Sequence, residues 1–240
     1  MQLIGHRGSA HLLAPENSLP AVERALLQGA DGVEVDVRIT ADGVPVCHHD
    51  ESLWRTAGDR RYVSSLTYGE LAVIGAHRVP LLSEVIDLVD GRARLIIDVK
   101  TRPWPSGAAT ETVEAIAAVL RRQRLGHVTV SSFDRPRILQ LRSFGVEVRT
   151  ALLGRPGVPL GVILRRAMAD GHHEAHPHVS ALLARPELIA PALAMGLGIT
   201  GWTVNRPQDL RQLADAGLPA VITDDPAAAR SALGHLLASA

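Results

Sequence analysis

A single cysteine, Cys47, stands among 240 residues. No intramolecular disulfide can form, and such cysteine usage suits a reducing compartment. Aromatic residues make up only 3% of the chain, too few for an aromatic or amphipathic segment that docks on a membrane. Charge of neither sign is in surplus, since 25 Lys and Arg balance 25 Asp and Glu. A sequence-independent nucleic-acid binder usually carries a basic excess. Nucleic acid is therefore excluded as a partner, and any anion recognition must be local. The N-terminus, Met1-Gln2-Leu3-Ile4-Gly5-His6, has neither a basic n-region nor an apolar h-region, so no secretory signal is expected. No run reaches the roughly 18 apolar residues that a spanning helix needs. The expectation is a cytoplasmic protein without stable membrane association.

The residues that are abundant suit a globular α/β chain. Hydrophobic residues make up 46% and charged residues 21%, enough to build a sizeable core. Short β-branched runs alternate with longer segments of helical period, the pattern of parallel βα units. The expected strands are 3–6, 32–37, 93–100, 127–131, 146–152, 173–176, 198–203 and 220–223. Helices are expected over 19–28, 82–89, 108–124, 135–144, 160–169, 185–195, 207–216 and 226–237, with a short helical piece near 68–74. Eight such units in a chain this long predict one (β/α)₈ TIM barrel over residues 1–240, a fold that typically takes about 250 residues. An open doubly wound sheet is the alternative, and it explains eight units of near-equal length less simply. Asp42-Gly43 is a hairpin signal leading to an extra extended segment, so a small insertion is expected over roughly 44–80, after the second strand.

Barrels of this kind place chemistry at the C-terminal ends of their strands. Those ends carry His6 and Arg7, Glu34 and Asp36, His49 and Asp50, Asp98 and Lys100, Trp202 and Asn205, and Asp224. Glu34, Asp36 and Asp98 are hard oxygen donors that suit one divalent cation, Mg²⁺ or Ca²⁺. Three close carboxylates without a cation repel, and one tends to protonate. Histidines beside such a site suit general acid and base duty. The planar fork of Arg7 and the point charge of Lys100 suit a phosphate. Each residue has a bland reading when taken singly: Glu34 and Asp36 could pair with arginines, His6 could be a hydrogen-bonded structural histidine, and Lys100 could form a rim salt bridge with Asp98. Their convergence at the first three strand ends favours a site.

These residues lie in blocks that resemble the glycerophosphodiester phosphodiesterase family. The matching stretches are His6-Arg7-Gly8, Pro15-Glu16-Asn17-Ser18, residues 29–37, residues 40–46, His49-Asp50, Leu53-Trp54-Arg55-Thr56, Val79-Pro80-Leu81-Leu82, residues 201–205 and Ile222-Thr223-Asp224. The resemblance spans nearly the whole chain and is loosest over about 150–195. It implies a TIM barrel, a small-molecule glycerophosphodiester substrate, and hydrolysis to an alcohol and glycerol-3-phosphate. It implies His6 and His49 as the acid/base pair, Glu34, Asp36 and Asp98 as metal ligands, and Arg7 as a phosphate ligand with Lys100 nearby. The implied route passes through a cyclic phosphate, which water then opens. Trp202 either packs on the substrate's glycerol face or serves as a rim aromatic.

The chain departs from the family pattern in two places, and a third position is ambiguous. The family's usual strand-three Glu is replaced by the shorter Asp98, which shifts the ion or brings a water between. Pro219 stands where an acid usually precedes the last strand. In the doublet His48-His49, only His49 precedes Asp50 as the family histidine does. Two other readings are possible for the same residues. A related barrel phospholipase or lyase would stop at the cyclic phosphate, and a non-catalytic binding barrel would be expected to lack one of His6, His49, Glu34 or Asp36. All four are present. His172, His173, His176 and His178 read as loop and strand-end residues rather than a second metal site, with His176 expected to face the pocket. Neither the oligomeric state nor the leaving alcohol is legible.

Overall fold

Alternation along β2 (Gly32–Ile39) sorts its side chains. Val33, Val35 and Val37 pack outward into the core beneath the helices, leaving Glu34 and Asp36 on the inner face. The same division runs round the molecule in the computed structural model, which describes residues 1–10, 14–75, 77–100, 108–123 and 125–237. β1 (Gln2–Gly5), β2, β4 (Arg94–Val99), β5 (Val128–Ser132), β6 (Arg149–Gly154), β7 (Glu174–Pro177), β8 (Gly198–Gly201) and β9 (Ala220–Thr223) follow one another in parallel. Pairing of Ile4 with Gly32 and of Leu3 with Val221 joins β1 to both β2 and β9, so the sheet closes. The closed (β/α)₈ barrel is thus the expected fold, and the open sheet is excluded.

The helices cover the outside. α1 (Leu19–Leu27) starts where the Ser18 hydroxyl accepts a hydrogen bond from Ala21 N, with Pro20 in its first turn. α4 (Leu82–Val89), α5 (Ala108–Leu120) and α6 (Arg135–Ser143) pack over β2, β4 and β5. α7 (Leu160–Ala169), α8 (Val179–Ala184), α9 (Ile189–Ala194), α10 (Pro207–Asp215) and α11 (Pro226–Leu237) cover the other half. None of the described helices is long and apolar enough to cross a membrane.

Between β2 and α4 lies the expected insertion. β3 (Pro45–Cys47) runs antiparallel to the end of β2, reached through a turn in which Gly43 takes a φ of 78°. Two four-residue helices follow, α2 (Trp54–Ala57) and α3 (Tyr68–Leu71). Val46, Leu53, Val63, Leu66 and Leu71 give this segment a core of its own. Cys47 is buried, and burial pushes its thiol up, away from ionisation.

Three local expectations differ from the structure. The expected helix over 185–195 is shorter, a tight turn at Pro186–Leu188 leading into α9, and a separate helix that was not expected, α8, precedes it. Pro186 lacks an amide donor and clashes with the preceding turn, so a helix cannot run through it. The fifth strand begins at Arg149 rather than Val146, where its pairing with β5 starts with Arg149 opposite Thr129. The helix expected over 108–124 ends at Leu120, and Arg124 lies outside the described residues.

Inside the barrel, Ile4, Ile96 and Ile222 pack as an apolar plug. At the N-terminal end, buried Glu174 accepts hydrogen bonds from Arg94 at 2.5 Å and from the Thr129 and Thr200 hydroxyls at 3.3 Å. Burial opposes its ionisation, but His176 and Arg94 hold the carboxyl well below the usual carboxylate range. The opposite end remains open to solvent.

Candidate active site

A cavity of about 150 Å³ lies at the C-terminal ends of the strands. His6, Arg7, Glu34, Asp36, His49, Asp98 and Lys100 line one part of its wall, and Phe133, Leu153 and Trp202 line another. Every residue singled out from the sequence for binding or chemistry therefore meets in one place.

The register of β2 against β4 sets Asp36 directly beside Asp98. Ligand oxygens of Glu34, Asp36 and Asp98 all lie within 4.8 Å of one another, and the three side chains are buried. Burial, reinforced by the charge of Asp36, pushes Glu34 up to about 7 and Asp98 up to about 6. Burial also works against Asp36, but Lys100 and Arg7 outweigh it and hold this carboxyl down at about 2. Lys100 Nζ stands 2.8 Å from Asp36 Oδ1 and 2.5 Å from Asp98 Oδ2. Asp98 Oδ1 is buried without a hydrogen-bond partner. A divalent cation would satisfy that orphaned oxygen and offset the burial and mutual repulsion that push two of the acids toward protonation. The donor set consists of hard oxygens, so it fits such an ion.

Each cavity histidine is held by a carboxylate. His6 Nδ1 lies 2.5 Å from Asp224 Oδ1, and Asn205 Nδ2 donates to the other oxygen of that carboxylate at 2.5 Å. Burial disfavours the His6 cation, yet its hydrogen bond to Asp224 and the charge of Glu34 raise its proton affinity overall. His49 Nδ1 lies 2.7 Å from Asp50 Oδ1. Here burial wins, and His49 titrates lower than an ordinary histidine despite Asp36 and Asp50. His48 points away into the insertion, with its ring nitrogens 2.9 Å from Asp50 O and 3.0 Å from Thr56 Oγ1.

The first loop is shaped for these contacts. Arg7 takes a φ of 53° and Gly8 a φ of 82°, the left-handed region that glycine adopts without penalty. A Cβ on Gly8 would sit 2.5 Å from the Ala21 carbonyl carbon, so a side chain has no room there. The bend aims Arg7 N at Glu34 Oε2, 3.0 Å away. It also places the guanidinium 3.2 Å from Asp36 and 2.9 Å from Glu16. Asn17, at a φ of 57°, braces Asp36 from both sides: its amide donates to Oδ2 at 2.8 Å, and its carbonyl oxygen accepts from Asp36 N at 2.9 Å.

Trp202 lines the cavity while its indole N–H donates to His176 O at 2.8 Å. Its ring meets Phe133 edge-on at 5.4 Å and His178 edge-on at 5.1 Å. His176 itself does not face the cavity. It is fully buried, with Nε2 3.1 Å from Glu174, because the alternation of β7 sends it inward and the nearest carboxylate lies toward the barrel floor. His172 and His173 meet Thr150, and His178 caps α8. Among the described residues, the only group arranged to hold a metal is Glu34, Asp36 and Asp98.

The sequence alone gives no site role to Asp224, Asn205, Glu16 or Arg55, and it offers Asn17 only as a helix cap, a duty that Ser18 takes. All five fall inside the matching blocks quoted above, which was the available signal. Some of their partners are far away in the chain, Asp224 standing 218 residues from His6 and Arg55 standing 39 from Glu16, so spacing could not reveal those contacts.

Known proteins share this arrangement of chain and fold. The model of the Glycerophosphoryl diester phosphodiesterase family matches residues 6–228. A glycerophosphodiester phosphodiesterase of Caldanaerobacter subterraneus subsp. tengcongensis is 30% identical, over 93% of this chain and 94% of its own. Among solved structures, an Oleispira antarctica phosphodiesterase in complex with the product sn-glycerol-3-phosphate superposes with a TM-score of 0.86 at 26% identity, covering 98% of this chain and 97% of its own. A glycerophosphodiester phosphodiesterase from Thermotoga maritima gives a TM-score of 0.79 at 26% identity, with 94% and 95% covered.

Proposed function

Because the chain belongs to the glycerophosphoryl diester phosphodiesterase family, we propose that it hydrolyses a glycerophosphodiester to an alcohol and sn-glycerol-3-phosphate at the cavity just described. One observation carries the reading: a trio of buried carboxylates is flanked by His6 on the Glu34 side and His49 on the Asp36 side, with Arg7 and Lys100 between the acids. Glu34, Asp36 and Asp98 would hold one divalent cation, Mg²⁺ or Ca²⁺. When bound, the ion supplies positive charge that polarises a phosphoryl oxygen and acidifies the glycerol hydroxyl beside the ester.

The remaining work falls to side chains. One of His6 and His49 takes the proton from that hydroxyl as its oxygen attacks phosphorus, and the other protonates the departing alcohol. This step yields a cyclic phosphate. Water then opens the ring while the two histidines exchange roles, giving glycerol-3-phosphate. Asp224 and Asp50 fix the ring orientation and tautomer of their histidines. The guanidinium of Arg7 offers N–H donors to the phosphoryl oxygens, and Lys100 adds a second positive charge. Trp202 packs against the glycerol face and limits the room available for a different backbone.

The test is a product assay. Incubation with a panel of glycerophosphodiesters should release alcohol and sn-glycerol-3-phosphate in equal amounts. Accumulation of cyclic phosphate as the end product would instead mark an enzyme that stops after the first step. An absence of turnover on every diester would reject the proposal.

A further inference from the structure

Arg55 touches no cavity wall, yet it ties the two halves of the site together. It sits on α2 of the insertion, half exposed, and makes three charge-assisted hydrogen bonds. Its Nε donates to Asp50 Oδ2 at 2.6 Å, while Nη1 and Nη2 donate to the two oxygens of Glu16 at 2.8 and 2.6 Å. The bonds continue beyond each carboxylate. Asp50 turns its other oxygen to His49 Nδ1 at 2.7 Å, and Glu16 Oε1 also accepts from Arg7 Nη1 at 2.9 Å. An unbroken chain therefore runs His49–Asp50–Arg55–Glu16–Arg7. It joins the loop after β1 to the segment after β3, 39 residues apart between Glu16 and Arg55.

We propose that Arg55 is a positioning residue for the reaction: the insertion uses it to set Asp50 and hence the imidazole of His49, with Glu16 and Arg7 as the fixed anchor. This role rests on the functional reading above. A guanidinium is suited to it because a planar fork can bind one carboxylate through two parallel bonds and still present Nε to another. An ammonium is a point charge and cannot span both with that geometry. The two arms are unequal. Arg7 keeps its contact with Asp36 when Arg55 is lost, whereas Asp50 loses its only cationic partner other than His49 among the ion pairs of the described residues. The effect should therefore fall on the chemical step more than on substrate affinity.

The experiment measures steady-state kinetics on the preferred glycerophosphodiester for wild type, R55Q, R55K, D50N and the double variant R55Q/D50N, with thermal melts for each. R55Q is expected to lower kcat about tenfold or more with KM within about threefold, R55K is expected to recover only part of the loss, and the double variant is expected to be no slower than D50N. R55Q within twofold of wild type would overturn the proposal, and so would full rescue by R55K or losses that multiply in the double variant. Loss of a cooperative melt in both R55Q and R55K would assign Arg55 to the fold and overturn it as well. Wild type inactive on every diester would reject the underlying function together with this role; an active wild type beside an active R55Q would reject the role alone.

Discussion

His6 and Asp224 stand 218 residues apart in the chain and 2.5 Å apart in the fold. Pairing of β1 with β9 is what brings them together, since Gly5 lies opposite Thr223 and each strand ends one residue before its functional side chain. Closure of the barrel thus assembles one half of the proposed acid/base machinery. Asn205 locks the arrangement by accepting from Asp224 N at 2.9 Å and from the Thr223 hydroxyl at 3.1 Å.

The first prediction concerns that pair. D224N removes the charge that orients the ring and supports the imidazolium form of His6. Activity should fall about 10- to 100-fold, the range typical for partners that orient a functional ligand. The melting temperature should change little, because Asp224 is largely exposed. Steady-state kinetics beside a thermal melt checks both halves.

Gly8 offers a test of the loop. G8A forces a Cβ into the Ala21 backbone at a φ of 82°. A loss of at least about 1 kcal/mol is expected from the left-handed backbone alone, with more from the clash. Denaturant unfolding measures it. The same variant should lose activity, because Arg7 and Glu34 meet through this bend.

Asp98 reports on cation binding. D98N keeps the shape but removes one carboxylate from the proposed ligand set, and titration calorimetry should show Mg²⁺ or Ca²⁺ affinity reduced by at least about tenfold. D98E, which adds the methylene found in the family's usual residue, should bind more tightly than D98N. Equal affinity in all three proteins would remove Asp98 from the ligand set.

His172 is the basis of a pH prediction away from the site. Burial lowers it to about 4 from an ordinary 6.5. The unfolded chain therefore takes up this proton first as the pH falls. Folded-state stability is intact above about 6.5 and is lost progressively between 6.5 and 4. H172N, which cannot titrate, should flatten the loss in that window relative to wild type in urea melts. Parallel pH profiles for the two proteins would show that His172 contributes nothing to it.

Much of this architecture is legible in the sequence because it is written locally. The alternation of Val33, Val35 and Val37 with Glu34 and Asp36 fixes both the core face and the acid face of one strand. Ser18 and Gly29 mark the two ends of α1. Asp42-Gly43 announces the hairpin. What the sequence leaves hidden depends on contacts between distant segments. The register that sets Arg149 opposite Thr129 joins two segments, and no pattern within 146–152 contains it. His176 shares the strand-end position of the cavity residues, but the carboxylate that captures it is Glu174, held in turn by Arg94 from 80 residues away. The carboxylate partners of the two histidines differ in the same way: Asp50 is adjacent to His49, while Asp224 becomes visible only when the barrel closes.

Hydrolysis that depends on a cation at Glu34, Asp36 and Asp98 is the central claim, and chelation followed by metal add-back tests it most directly. Treatment with a chelator should abolish release of sn-glycerol-3-phosphate from a glycerophosphodiester. Adding Mg²⁺ or Ca²⁺ to the stripped protein should restore it in wild type and not in E34Q. Undiminished turnover in the metal-free protein, or full restoration in E34Q, would contradict the account.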